Sequence, residues 1–146
     1  MTISIRPMSV DDLAQVYKLG LRCYEVQDRP YNYWSVREVA DHLETHPQLC
    51  YFGEVVAFAL GKKSYEVLES TGHLEWVAVA PEYRRQGLSS RLMETLLQVY
   101  WDLGKAWVVA DVSSVNFASR GMARKLGFRE GISVTFFVKE LSQPQV

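Results

Sequence analysis

Two groups of residues in this 146-residue chain have types and spacings that can do chemistry. The first is a basic turn, Arg84-Arg85-Gln86-Gly87. It lies between an apolar run that stops at Pro81 and an amphipathic helix that opens with Leu88-Ser89-Ser90. A helix start carries unpaired backbone N–H groups and a partial positive charge. With glycine at the tightest point and two arginines beside it, that start reads as an anion site of the size of a pyrophosphate. The second group can move a proton. His73 and Glu75 stand two apart on an alternating stretch, so they face the same side of a strand. Asp111 ends the next strand, five residues before Asn116. An imidazole titrates near neutrality and suits a general base. A carboxylate needs a raised pKa or must act through water. Each of the three also has a bland reading as a solvated polar group on a half-exposed strand, and the choice among them stays open.

These groups need elements to position them. Residues 3–6 alternate and read as a short strand. Ser9 with Asp12 forms a capping box ahead of a helix that carries Leu13, Val16, Tyr17 and Gly20 on one face. An aromatic loop, residues 27–34, leads to a second capping box, Ser35 to Glu38. The helix it opens has Val36, Val39, Ala40 and Leu43 on one face and ends before Pro47. The period then changes to two. Residues 49–52 and 55–60 are strands around a Gly53-Glu54 turn, and residues 72–79 pair antiparallel with the second of them. The long helix covers residues 88–103 and stops at Gly104. Residues 106–112 are apolar enough for a buried central strand. Residues 116–126 form a last helix ended by Gly127, and residues 131–139, with Ser133-Val134-Thr135-Phe136-Phe137-Val138, a final strand. Strands first, then alternation of strand and helix, predict an α+β or mixed α/β domain with helices on both faces of one sheet.

Composition narrows the function. The length fits one domain, and the net charge of -1 argues against nucleic acid as a partner. Lys62-Lys63 reads as a solvated turn. No apolar run approaches the ~20 residues of a membrane span, and the N-terminal residues lack the apolar core of a signal peptide. Cys23 and Cys50 fall in apolar faces and read as reduced thiols, which suits a cytoplasmic protein. His42 and His46 are spaced i, i+4 near a helix end, without the spacing of a metal site.

The stretch VAVAPEYRRQGLSS resembles the acetyl-CoA-binding motif of the GNAT superfamily of acetyltransferases: a strand, a turn with proline and an aromatic, then R/Q-x-x-G-x-G/A opening a helix. Arg84, Gly87 and Ser89 fill the fixed positions. Serine is a departure from the usual Gly or Ala, but it is small and its hydroxyl can donate to a phosphate. A second element, Asn116 with Lys125-Leu126-Gly127-Phe128, is similar to the one that closes the family's cofactor site. Element order matches over nearly the whole chain. The resemblance implies one domain over residues 1–146, with a central mixed, mostly antiparallel sheet and acetyl-CoA as co-substrate without a metal. It also implies that Val77, Ala78 and Val79 hold the pantetheine arm through their backbone, with local pairing broken by a bulge. One N–H there would face the thioester oxygen. The amides of Arg85, Gln86, Gly87, Leu88, Ser89 and Ser90 would then cradle the pyrophosphate. Asn116 caps its helix, bonds the pantetheine arm, or does both.

Residues 31–43 are similar to the helix start of ribosomal-protein and protein N-terminal acetyltransferases, although a tryptophan there, Trp34, is more often packing than a substrate wall. Ala123 departs from the family pattern, since a tyrosine acid commonly stands there. A thiol leaves with pKa ~8.5, so a missing acid slows the reaction by about 10²–10⁴-fold without forbidding it. Gly121 either admits a close neighbour or is simply tolerated. The expectation is an N-acetyltransferase acting on a primary amine: a protein N-terminus, a lysine or a small molecule. The alternative is an acyl-CoA-binding sensor with little catalysis, for which Ala123 speaks. A nucleotide-binding protein is disfavoured because neither G-x-x-x-x-G-K-[ST] nor G-x-G-x-x-G occurs. Residues 27–34 and 62–71 are expected to shape the acceptor pocket. The acceptor and the oligomeric state stay open, a homodimer included.

Overall fold

The computed structural model describes residues 3–24, 31–54, 56–113 and 116–142. Five strands form one sheet in the order β1 (Arg6–Pro7), β2 (Cys50–Gly53), β3 (Ala57–Lys62), β4 (Thr71–Val79), β5 (Trp107–Ala110). The first four pair antiparallel, and β5 runs parallel to β4. The described residues also form four α-helices: α1 (Leu13–Cys23), α2 (Val36–Thr45), α3 (Leu88–Asp102) and α4 (Phe117–Lys125). The sheet is therefore mixed and mostly antiparallel, as expected.

Local sequence explains the boundaries. Ser35 accepts from the Glu38 N–H at 3.1 Å and starts α2. Asp12 accepts from Ser9 N–H at 2.9 Å and binds Arg6 through both oxygens at 2.7 Å, which fixes the approach to α1. Gly104 and Gly127, at φ +76° and +92°, end α3 and α4 in the left-handed conformation that glycine adopts cheaply.

The core lies between the sheet and its helices. On one face Trp34 stacks on Phe58 at 5.2 Å, meets Tyr24 and Trp76, and donates its indole N–H to Tyr17 O at 3.0 Å. Trp34 is thus packing and no substrate wall. A Cβ at Gly20 would collide with its indole, so the glycine in α1 is what lets the ring in. On the other face Tyr100 of α3 is buried over Gly61 and Gly72, where any Cβ would overlap its ring or hydroxyl. Its hydroxyl lies 2.7 Å from His73 O and 2.9 Å from Lys62 O.

Five expectations need correction. The first strand is Arg6–Pro7 and not residues 3–6, because pairing to Phe52 and Tyr51 begins only there. Val36 is exposed; α2 buries Val39 and His42 instead, because the helix turns a polar residue toward the sheet. Residues 106–112 do not form a buried central strand: β5 has β4 on one side, no strand on the other among the described residues, and half-exposed side chains. Residues 131–139 are no strand either; they are exposed and without regular secondary structure, because nothing among the described residues pairs with them. The bulge sits at Glu75 and not at residues 77–79: Leu60 pairs with Trp76 and Gly61 with Leu74, so Glu75 is the extra residue. Residues 77–79 pair regularly with β3.

Candidate active site

The bulge sets the chemistry of the cleft. It turns Glu75 and the adjacent Trp76 onto the same face, toward α2 and the segment before it. Glu75 is almost fully buried there. Its Oε1 is 2.8 Å from His42 Nε2, and its Oε2 is 3.1 Å from Lys62 Nζ and accepts from the Tyr33 hydroxyl at 3.1 Å. His42 Nδ1 lies 3.0 Å from Gly61 O, an acceptor only, so that nitrogen carries a proton. Its Nε2 faces two carboxylates, Glu75 and, at 3.3 Å, Glu38. Both ring nitrogens therefore donate, and His42 is an imidazolium. Burial opposes that charge, but hydrogen bonds to Glu38 and Glu75 outweigh it and raise the pKa to about 9. Burial likewise opposes the Glu75 charge, yet its donors hold the carboxyl well below the usual carboxylate range. Two carboxylates, an imidazolium and an ammonium balance one another. The carboxylates and His42 are also close enough to hold a cation, but Lys62 already brings one to Glu75.

Sequence reasoning missed this cluster. The signal was faint: Glu38 and His42 stand at i, i+4 beside Val39, so they share a helix face with a buried residue. Nothing in the sequence says that this face meets β4.

The other two proton-transfer candidates meet each other. His73 on β4 places Nε2 2.7 Å from Asp111 Oδ1, just past the end of β5, because the parallel register sets His73 opposite Val109. Its Nδ1 is 3.8 Å from Glu75 Oε2, too long for a hydrogen bond. Tyr65, from the β3–β4 connection, stands edge-on to the imidazole at 5.0 Å. The His73 side chain is 12% exposed and that of Asp111 75%, so the pair sits at the mouth of the cleft with Glu75 beneath it. Tyr33 and Tyr65 come from the two segments expected to shape an acceptor pocket; residues 27–30 lie outside the described residues.

Beyond this pair the sheet opens. β5 accompanies β4 only from Thr71 to Leu74, so the β4 edge at residues 75–79 has no strand beside it among the described residues. Ala80 N–H bonds Val56 O, just ahead of β3; by alternation Ala78 faces β3, while Val77 and Val79 face the open edge. Two side chains reach those carbonyls from that side: Tyr24 donates to Val77 O at 2.9 Å and Arg84 Nε to Val79 O at 3.1 Å. The Val77 and Val79 amides point the same way. Arg84 thus turns back and ties the basic turn to β4.

The edge leads into the front of α3. Arg85 and Gly87 are both left-handed, at φ +65° and +77°. Gly87 is the N-cap, so no side chain caps the helix, and no acidic residue stands in the first turn. A Cβ at Gly87 would meet nothing within 4 Å; its conformation, not crowding, calls for glycine, and the approach to the amides is open. Arg85 and Gln86 are exposed, Ser89 and Ser90 half-buried, and the Leu88 side chain is anchored in the core. This is a fit for a linked phosphate: donors without protein acceptors, positive dipole, no competing carboxylate. Asn116 caps α4, its Oδ1 accepting from Ser119 N–H at 3.1 Å. Gly121 has open space around it, so no backbone approaches it closely. Ala123 is half-buried in α4 and offers no donor.

A mixed sheet that splays beside an uncapped helix start, with a paired imidazole and carboxylate at the splay, defines a domain of the acyltransferase class. Comparison with known proteins agrees. Residues 13–128 match the model of the Acetyltransferase (GNAT) family, and the chain belongs to that family. It is 32% identical over 96 residues to the N-terminal acetyltransferase A complex catalytic subunit NAA10 of Arabidopsis thaliana, covering 62% of this chain and 47% of that protein. It is 30% identical over 111 residues to the [Ribosomal protein bS18]-alanine N-acetyltransferase of Escherichia coli K12, covering 73% and 72%. The chain spans about half the length of NAA10 and of the Caenorhabditis elegans relative daf-31. Among solved structures, Ard1 from Thermoplasma volcanium superposes with a TM-score of 0.73 at 23% identity, over 90% of this chain and 86% of that one. The aminoglycoside N-acetyltransferase AAC(6')-Iy in complex with CoA gives 0.71 at 20%, over 94% and 100%.

Proposed function

We propose that this chain moves an acetyl group from acetyl-CoA to a primary amine by direct attack on the thioester. The observation that carries the reading is the open β4 edge, where Val77 and Val79 face outward, followed one short turn later by the uncapped start of α3. Bound there, acetyl-CoA supplies an acyl carbon activated as a thioester. The amides of Arg85, Gln86, Gly87, Leu88, Ser89 and Ser90 hold the pyrophosphate, and the Val77 and Val79 amides line the pantetheine arm, one of them facing the thioester oxygen as charge develops. Asn116, engaged as a cap, borders the arm from α4.

His73 is the base in this reading. Its Nε2–H donates to Asp111, which leaves the Nδ1 lone pair free for the amine proton. The carbon–nitrogen bond forms, the carbon–sulfur bond breaks, and the thiolate departs to solvent, since Ala123 gives it no proton. Glu75 is a poor base because its charge is held by three donors, His42, Lys62 and Tyr33; its part is to fix those side chains beneath His73.

The acceptor we favour is a protein or peptide α-amine. The NAA10 and bS18-alanine relatives are named for that chemistry, and an α-amine, with pKa ~7.7–8.0, asks less of a base than a lysine at ~10.4. Small amines compete as acceptors, since two structural neighbours are a diaminobutyrate and an aminoglycoside acetyltransferase. The free thiols Cys23 and Cys50 suit a reducing, cytoplasmic setting, no helix among the described residues is long and apolar enough to cross a membrane, and a homodimer is compatible with the exposed apolar surface around β5. The test is mass spectrometry of peptides with free N-termini, diaminobutyrate and an aminoglycoside, each incubated with acetyl-CoA. Acetylated peptide is expected. Acetyl-CoA binding with no product on any amine would instead favour the sensor.

A further inference from the structure

Lys62-Lys63 reads in the sequence as a solvated turn, and half of that reading fails. Lys62 is the last residue of β3, and its side chain turns into the cleft, with Nζ 3.1 Å from Glu75 Oε2. The antiparallel register sets Lys62 opposite His73, so the two side chains rise as neighbours from the same face of the sheet. One carboxylate oxygen stands between them. Glu75 Oε2 is also 3.8 Å from His73 Nδ1, the ring nitrogen that Asp111 leaves free. The Tyr33 hydroxyl completes the seat from the segment before α2. Lys63, the next residue, lies past the end of β3 and is not among the partners of Glu75. The Lys62 contact is not locked. Its side chain is 39% exposed, against 1% for His42. Nζ can therefore leave Glu75 for His73 by turning its own flexible stem, without movement of the strand. A primary amine seated on a carboxylate beside a base is what an acceptor has to present, and here the chain supplies one itself.

We propose that Lys62 is an acceptor: with acetyl-CoA bound and no free amine in the cleft, each chain acetylates its own Lys62. The proposal rests on the acetyl-transfer reading above. Lys62 sheds one ammonium proton to water, and its neutral Nζ attacks the thioester carbon. The carbon–nitrogen bond forms, the second proton passes to His73 Nδ1, the carbon–sulfur bond breaks, and CoA leaves as the thiolate. Tethering favours the step, because this amine need not be captured from solution. Acetylation removes the charge. Glu75 then loses its ammonium, and the added acetyl group fills the place beside His73 that an incoming amine needs. Modified Lys62 thus lowers turnover of other acceptors, and those acceptors protect Lys62 by occupying the cleft.

The test incubates the full chain at neutral pH with isotope-labelled acetyl-CoA and no acceptor, read by intact mass and peptide mapping. One labelled acetyl group is expected, at Lys62 at least about tenfold above Lys63. Its rate constant is expected to hold when the protein is diluted, and to fall by about 10²-fold or more in His73→Gln. Lys62→Arg keeps a cation on Glu75 and is expected to lose the labelled site. A saturating peptide acceptor is expected to suppress labelling, and chain labelled beforehand to turn that peptide over at least about tenfold more slowly. An unlabelled Lys62, label shared evenly with Lys63, indifference to His73→Gln, or a rate that falls on dilution each overturns the proposal. A peptide acetylated in a parallel sample while Lys62 stays bare overturns it and leaves the acetyl-transfer reading standing. No product on Lys62, peptide or small amine removes both.

Discussion

His73 and Asp111 lie 38 residues apart in sequence and differ in setting: one nearly enclosed, the other mostly in water, joined by a 2.7 Å contact. If that contact fixes the tautomer, the two positions respond differently to substitution. His73→Gln is expected to lower kcat by about 10²–10⁴-fold while calorimetry finds acetyl-CoA affinity unchanged. Asp111→Asn is expected to cost less in kcat, because the imidazole remains and an amide oxygen can still accept from its Nε2–H. Equal losses in affinity and turnover would mean that His73 only shapes the cleft. His42 is a different case, since it touches Glu75 and Glu38 and no reacting group. His42→Gln leaves two carboxylates facing each other with Lys62 as their remaining cation, and is expected to destabilise the fold by about 3 kcal/mol in urea titrations. The pH dependence follows from the signs. With a folded pKa of about 9 against an ordinary ~6.5, the His42 contribution is complete below pH 6.5 and is lost as pH rises through 9. Burial and the nearby His42 charge lower His46 to about 4, so its contribution is present above pH 6.5 and is lost as pH falls through 4. Stability is expected to peak near pH 6.5, and His42→Gln to flatten the alkaline limb and, because the His42 charge also lowers His46 and Glu75, to reduce the slope of the acid limb.

At the scale of elements, the front of α3 and the face of β4 are each set by a glycine whose replacement has a different consequence. Gly87 holds a left-handed N-cap in open space. Gly87→Ala is expected to cost about 1–2 kcal/mol in stability through backbone strain, with a loss of acetyl-CoA affinity. Gly87→Glu adds a carboxylate at the phosphate site, and calorimetry is expected to detect no binding; unchanged affinity would remove the phosphate from α3. Gly72 is a packing glycine under Tyr100. Gly72→Ala overpacks that contact and is expected to destabilise by about 1–3 kcal/mol, read as a lower thermal midpoint, with affinity for acetyl-CoA retained in the folded fraction.

For the molecule as a whole, the fold was largely legible because its signals are local. Ser35, Gly104 and Gly127 end or begin helices by their own chemistry, and the change of period after Pro47 separates helix from strand. The turn at residues 84–87 was legible for the same reason, since its left-handed glycine and the helix it opens are adjacent in the chain. What was hidden is non-local. That α2 turns His42 under Glu75 depends on a helix and a strand 33 residues apart, and the exposure of β5 depends on what lies beside it. The bulge was expected two residues too late, since one extra residue leaves no mark on the pattern of apolar positions. That extra residue has a consequence for length changes in this gene. Residues 63–70 join β3 to β4 through turns and can gain or lose a codon at small cost. Within β4 the tolerance vanishes: excising Glu75 would restore uniform pairing, with Leu74 still opposite Gly61 and His73 still opposite Lys62. The imidazole would keep its face, but His42 would be left with Glu38 alone and Lys62 without its carboxylate. A single in-frame deletion there straightens the strand and strips the cleft of its buried anion.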